Sequence, residues 1–197
     1  MLFKRTNGIR GFPVLLLLLG ILLMPLSLMA CSEDPVAATF GIAFRGRILD
    51  VTLFDKVNLP EIVYEEDDGT YAVISPSNPL NELVVFHARV DNFGATLVQL
   101  DIESEPPVLR TTDDLSVASV NTKNAKIESD REHYLEYRQT LIDLGIKVPP
   151  GGLFIRGLHE VKQDFGLEGW VVFDMPKGST LKDLKWSAGG DAIRIEF

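Results

Sequence analysis

From Phe40 onward the chain alternates apolar and polar residues with a period of two, and this pattern constrains its fold more than any other feature. Phe40, Ile42 and Phe44 alternate with Gly41, Ala43 and Arg45; Leu49, Val51 and Leu53 alternate with Asp50 and Thr52. Val84, Phe86, Ala88 and Val90 interleave with His87, Arg89 and Asp91. The same holds for Val98, Leu100 and Ile102, and for Ile193, Ile195 and Phe197. Successive side chains of a strand point to opposite faces, so this spacing predicts half-buried antiparallel strands. Asp68-Gly69 stands between Ile62-Val63-Tyr64 and Tyr71-Ala72-Val73-Ile74 and predicts a hairpin whose two turn positions have φ > 0. Ser75-Pro76-Ser77-Asn78-Pro79, Asn92-Phe93-Gly94, Pro106-Pro107 and Pro149-Pro150-Gly151-Gly152 read as loops. Short strands with turn cues about every ten residues predict an antiparallel β-sandwich over 40–197. Trp170 and Trp186 are its expected large core anchors.

One segment breaks the period. Ser129-Asp130-Arg131-Glu132 has the form of a capping box, and Tyr134, Tyr137, Leu141 and Leu144 follow at helical spacing. Leu135 and Ile142 widen the stripe, and Gly145 stands where a helix stops. A single amphipathic helix over about 130–144 is predicted, with its Tyr/Leu face packed on the sheet. Ser116–Glu128, just before it, has no clear period.

The first thirty residues are of another kind. Met1–Arg10 is short and basic, Phe12–Met29 is almost wholly apolar, and Leu28-Met29-Ala30-Cys31 follows. A basic stretch, an apolar stretch and a small residue before a cut describe a secretory signal. Leu28, Ala30 and Cys31 resemble the lipobox of bacterial lipoproteins. That resemblance implies cleavage before Cys31 and attachment of a diacylglycerol to its thiol. Acyl chains anchor by about 0.8 kcal/mol per buried methylene, so two or three hold stably. An uncleaved signal anchor is the alternative, since about twenty apolar residues can span a bilayer. In either case the rest of the chain faces outside the cytoplasm. Residues 31–39 form a short tether, and Ser32 beside the cysteine resembles the outer-membrane sorting class. Cell membrane and outer membrane both stay open as the location.

The last third carries a second resemblance. Leu167-Glu168-Gly169-Trp170-Val171-Val172-Phe173-Asp174-Met175-Pro176-Lys177-Gly178 precedes a closing strand, Asp191–Phe197. Together with Leu83–Asn92, these resemble an immunoglobulin-like domain of unknown function found in cell-envelope lipoproteins. The resemblance implies an all-β, immunoglobulin-like antiparallel β-sandwich and brings no catalytic residues. Residues 121–163, holding the helix, depart from it as an insert. The residues themselves say that Trp170 and Val172 share one face, Val171 and Phe173 the other, and that Pro176 ends the strand.

Charge and residue types exclude several functions. The chain has 19 basic and 28 acidic residues; Lys4, Arg5 and Arg10 lie in the signal, leaving a net charge of −12 from Cys31 onward. That balance argues against nucleic-acid binding. The one cysteine excludes an intrachain disulfide and a Cys-based zinc site, and its lipid leaves no thiol nucleophile. No Gly-x-Ser-x-Gly, His-Glu-x-x-His or phosphate loop occurs. Glu65-Glu66-Asp67-Asp68 lacks the spacing of a calcium loop and reads as a solvated hairpin tip. His87 reads as exposed on the polar side of its strand, and His133 as part of a charged solvent face. His133 and His159 could meet only if the insert folds back.

These readings predict a non-enzymatic module without cofactor, metal or catalytic residues. It is lipid-anchored through Cys31, with Leu28 and Ala30 completing the signal, and takes an envelope protein as partner through the insert. An extracytoplasmic small-ligand or metal-ion binder is the alternative. An enzyme of unrecognised type is a third reading, and a concave pocket with convergent polar groups would raise it.

Overall fold

The computed structural model describes residues 41–147 and 154–197. The readings of the signal, of Leu28, Ala30 and Cys31, of the tether and of the Pro149–Gly152 loop lie outside the described residues. The strands begin with β1 (Ile42–Arg45), β2 (Leu49–Leu59), β3 (Ile62–Glu65) and β4 (Tyr71–Ile74). They continue with β5 (Asn81–Asn92), β6 (Leu97–Asp101), β7 (Val108–Thr111), β8 (Ser116–Ala118) and β9 (Lys126–Ser129). Helix α1 (Arg131–Asp143) precedes β10 (Leu158–Lys162), β11 (Phe165–Pro176), β12 (Leu181–Ala188) and β13 (Asp191–Glu196).

Among the described residues the fold is an all-β sandwich with one helix. One four-stranded sheet runs β1-β2-β5-β11 and another β13-β12-β7-β8, with the pair β10-β6 beside them. Their inward faces form one core, including Leu49, Val51, Leu53, Phe86, Leu109, Phe173, Met175, Trp186, Ile193 and Ile195. The alternation that announced these strands is the alternation of the core face.

A third sheet, β3-β4-β9, adds a layer that the sequence did not announce. It closes a second core with α1 and the back of the first sheet: Leu59, Ile62, Tyr64, Ile74, Leu83, Val85, Trp170, Val172, Tyr137 and Leu141. Strand β5 therefore serves both cores. Val84 and Phe86 face the sandwich, whereas Leu83 and Val85 face the second core. A strand covered on both sides reads as a continuous apolar run, and Leu83-Val84-Val85-Phe86 is one. Strand β11 divides likewise, with Val171 and Phe173 to the sandwich and Trp170 and Val172 to the second core. Trp186 anchors the sandwich; Trp170, 2% exposed, anchors the other core.

Three buried polar side chains lock the sandwich. Asp191 accepts from the backbone N–H groups of Arg47 (3.2 Å), Ile48 (2.8 Å) and Leu49 (2.8 Å), clasping β13 to the β1–β2 turn. Burial opposes its charge, but these donors hold its pKa below the ordinary value. Asp183, fully buried, takes a two-pronged bond from Arg110 and one from Arg194 Nε at 2.9 Å. The Arg110 bonds lead in holding its pKa down to about 2. Asn92 spends its amide on Ala95 O (2.8 Å) and Val161 O (2.9 Å), and its carbonyl accepts from Ala95 N–H. The polar end of β5 is thus a structural knot joining β5, β6 and β10.

Two local expectations are corrected. In the β3–β4 hairpin only Gly69 is left-handed, with φ 81°. Glu66 and Thr70 close the loop at 2.8 Å, and Gly69 N–H bonds Glu66 O at 2.9 Å. The loop is long enough to place a right-handed turn before the glycine, so Asp68 needs no positive φ. Helix α1 is capped by Asp130, not Ser129: the Asp130 carboxylate accepts from His133 N–H at 2.9 Å. A carboxylate there also opposes the positive end of the helix dipole. Ser129 ends β9 instead.

Candidate functional site on the insert

The insert is woven into the fold from both ends. Strand β9 pairs with β4, matching Ile127 to Val73 and Glu128 to Ala72, and β10 pairs with β6. After β9 the chain turns at Asp130 into α1. Tyr137 and Leu141 of the helix are buried, and Tyr134 stacks on Tyr71 of β4 with ring centres 5.1 Å apart. Burial raises the Tyr137 hydroxyl pKa, and that oxygen has no hydrogen-bond partner among the described residues. Farther on, Phe154 bridges to Trp170 and Ile155 N–H bonds Trp170 O at 3.1 Å. Gly169 makes this approach possible, because a Cβ there would lie 2.9 Å from Ile155 N.

The helix corrects the expected single stripe. At 100° per residue, Tyr137 and Leu141 lie on one side, while Leu135 and Ile142 lie on nearly the opposite side. Leu135 is 53% exposed and Ile142 62%; Leu144, just past the helix, is 63% exposed. The six apolar residues that the sequence suggests as one packing face are two faces, and only one is packed. Plotting the segment on a wheel separates them without a structure.

Half-buried charges frame the layer. Glu66, expected to be solvated, accepts from Lys126 Nζ (2.7 Å), Arg156 Nη2 (3.0 Å) and the Tyr64 hydroxyl (3.2 Å). Burial works against its charge, and the Lys126 and Arg156 donors outweigh it, so its pKa falls below the ordinary value. The Tyr64 hydroxyl is pushed up to about 12, mainly by burial and then by Glu66. A hairpin tip read as free acid is thus an anchor tying β3 to both flanks of the helix. Glu65, Asp67 and Asp68 are exposed as expected, and Asp68 accepts from Thr70.

The histidines are placed differently from expectation. His87 is half-buried: its Nε2 lies 2.9 Å from Glu168 Oε1 and its ring 5.0 Å from that of Phe54. It projects from a strand with neighbours on both sides, β2 and β11, so its polar side is still crowded. His133 joins Ser129 Oγ (3.1 Å) to Glu61 Oε1 (2.8 Å), pinning the helix start to the entry of β3. His159 Nε2 lies 2.7 Å from Arg156 O. His133 and His159 thus engage separate partners. Among the described residues no three His, Cys, Asp or Glu side chains gather as a metal site requires.

Two hollows border the insert. A broad one of about 590 Å³ lies over β4 and β9 and is lined by Glu66, Asp68, Tyr71, Lys126, Ile127 and Glu128 among others. Ile127 on its edge strand is 63% exposed. A narrower one of about 70 Å³ lies where Asn121, Thr122 and Arg156 meet Trp170 and Val172. The Thr122 hydroxyl is buried there without a hydrogen-bond partner among the described residues. Chemically, the insert offers an exposed aliphatic helix face, a shallow mixed hollow and a small polar slot.

No family description matches the sequence, and no curated protein matches it. Among solved structures, one described as "a putative lipoprotein (ycdA)" from Bacillus subtilis subsp. subtilis str. 168 is similar at 12% identity and a TM-score of 0.46. The similarity covers 79% of this chain and 38% of that one, so the chain spans about two fifths of the length of that protein.

Proposed function

We propose that this protein is a lipid-anchored, extracytoplasmic, non-catalytic module that engages a protein partner through its insert. The tether reading rests on Leu28, Ala30 and Cys31, and the family reading on the envelope-type pattern around Gly169-Trp170. The observation that carries the interaction reading is the second apolar face of α1. Leu135 and Ile142 stand mostly in solvent on a helix whose other side is fully used by the second core. Exposed aliphatic side chains gathered on one rigid element mark interaction surfaces more often than isolated ones do.

The test is photo-crosslinking from the outer face of α1 in the full chain in its own membranes, beside a Leu135→Lys/Ile142→Lys variant. A discrete adduct that the variant loses is expected; smeared adducts of equal intensity from both chains would defeat the reading. Mass spectrometry of the N-terminal peptide checks the anchor separately, through a diacylglycerol on Cys31.

A second reading, small-ligand binding, is favoured by the buried, unpartnered Thr122 hydroxyl in the slot beside Asn121 and Arg156. A thermal shift with a small polar ligand, abolished by Thr122→Val, would support it.

A further inference from the structure

We infer that α1 pairs in parallel with the α1 of a second copy of this chain, making the protein a side-by-side homodimer on its membrane. Write the helix as a heptad abcdefg with Leu135 and Ile142 at the d positions. Glu132 and Gln139 then fall at a, Arg131 and Arg138 at g, and Glu136 and Asp143 at e. All eight residues are exposed. The residues the helix has already used, Tyr134, Tyr137 and Leu141, fall at c and f, on the opposite side. The outward face therefore carries an aliphatic seam with a basic flank and an acidic flank.

That arrangement selects both the partner and its orientation. In a parallel helix pair each g residue meets the e residue five positions on in the partner. Arg131 then faces Glu136 of the second copy, and Arg138 faces Asp143 of the second copy, with both pairs repeated by the two-fold axis. Leu135 meets Leu135 and Ile142 meets Ile142, while the a positions bring Gln139 to Gln139 and, at the helix start, Glu132 to Glu132, a like-charge contact that the four e–g pairs outweigh. In an antiparallel pair g faces g and e faces e, so arginine would meet arginine and carboxylate would meet carboxylate. In the single copy the same groups make weak exposed contacts. Arg138 donates to the Tyr134 hydroxyl at 3.2 Å, and Gln139 to Asp143 at 2.8 Å. Both contacts can be exchanged without disturbing the buried face.

A seam of 13 residues is about 20 Å long and holds two apolar layers, too little for tight association in dilute solution. Anchoring both copies in one bilayer makes the second encounter effectively intramolecular and raises the local concentration toward millimolar. The inference thus rests on the proposed tether for its concentration, while its geometry comes from the helix alone.

Disulfide trapping tests it. The full chain carrying Leu135→Cys is reconstituted in phosphatidylcholine vesicles and oxidised, with the unsubstituted chain as background. A 135–135 dimer is expected, and a mixture of Leu135→Cys and Ile142→Cys chains should give few 135–142 adducts. Adding Arg131→Glu/Arg138→Glu should lower the 135–135 yield about tenfold. Mixing that chain with one bearing Glu136→Arg/Asp143→Arg, both with Leu135→Cys, should restore the yield as a heterodimer. No dimer above background, 135–142 adducts as abundant as 135–135, or a yield indifferent to charge reversal would each overturn the pairing. If Cys31 proves to carry no lipid, the tether reading fails by itself. The same trapping at millimolar protein in solution then decides the pairing, expected to follow the same charge rule and overturned if it does not.

Discussion

The two cores of this molecule are built on opposite faces of the same strands, yet they are held at their margins in different ways. The sandwich core is bounded by carboxylates withdrawn from water, Asp183 and Asp191, whose bonds to Arg110 and to the 47–49 backbone run between segments distant in the chain. The second core is bounded by polar pairs still touching solvent: Glu66 with Lys126 and Arg156, and His133 with Glu61. A buried ion loses a great deal when its partner goes, because nothing replaces the lost solvation; a half-exposed ion falls back on water. The sandwich should therefore behave as one cooperative unit, and the helix-bearing layer as a part that can loosen by itself.

The largest effect should come from Arg110→Ala, which leaves the buried Asp183 carboxylate without its two-pronged partner. We expect a loss of about 3–5 kcal/mol in urea unfolding, with all probes moving together. Acid should reproduce part of it. The carboxyl has a folded pKa of about 2 against an ordinary 3.8, so its contribution is complete above the higher value and lost as pH falls toward the lower. Between the two the unfolded chain binds more protons than the native one, and stability declines with falling pH. Asp191 adds to this slope in the same sense. Unfolding curves from about pH 5 down to about pH 2 should be steeper for the natural chain than for the variant.

Next comes Leu141→Ala in the second core, at about 2–5 kcal/mol by the usual cost of a vacated leucine. What distinguishes it is where the loss falls. Hydrogen exchange should quicken in α1, β3, β4 and β9 while β5 and β12 stay protected. Equal deprotection of β12 would erase the distinction between the cores. The smallest effect belongs to Lys126→Ala: below about 1 kcal/mol, because Glu66 keeps Arg156 and gains water.

The sandwich was legible in the sequence because most of its strands keep one side wet, and that is what alternation records. Val90 against Arg89, and Ile193 against Arg194, are read correctly at sight. The second core was not legible, since it takes its residues from strands already assigned and from short pieces such as Lys126–Ser129, where only Ile127 is aliphatic. The run Leu83–Phe86 was the clue to a strand covered on both faces, and Trp170 opposite Val171 was another. At the candidate site, the helix and its boundaries were legible, but its two apolar faces merged into one stripe until their angles were separated. The anchoring roles of Glu66 and His133 left no local trace, because Arg156 and Glu61 reach them from 90 and 72 residues away.

The clasp at Asp191 also sets the order of events as the chain is made. Its three backbone partners, at 47–49, precede it by 142 to 144 residues. Until β13 is available, those N–H groups lack their carboxylate, and β12 lacks the neighbour that flanks Trp186 with Ile193. Contacts of such long separation form slowly and late, after most of the entropy of closing the loop has been lost. A chain growing from its N-terminus would thus carry its early strands unlatched for most of its synthesis. The latch closes only once β13 has arrived.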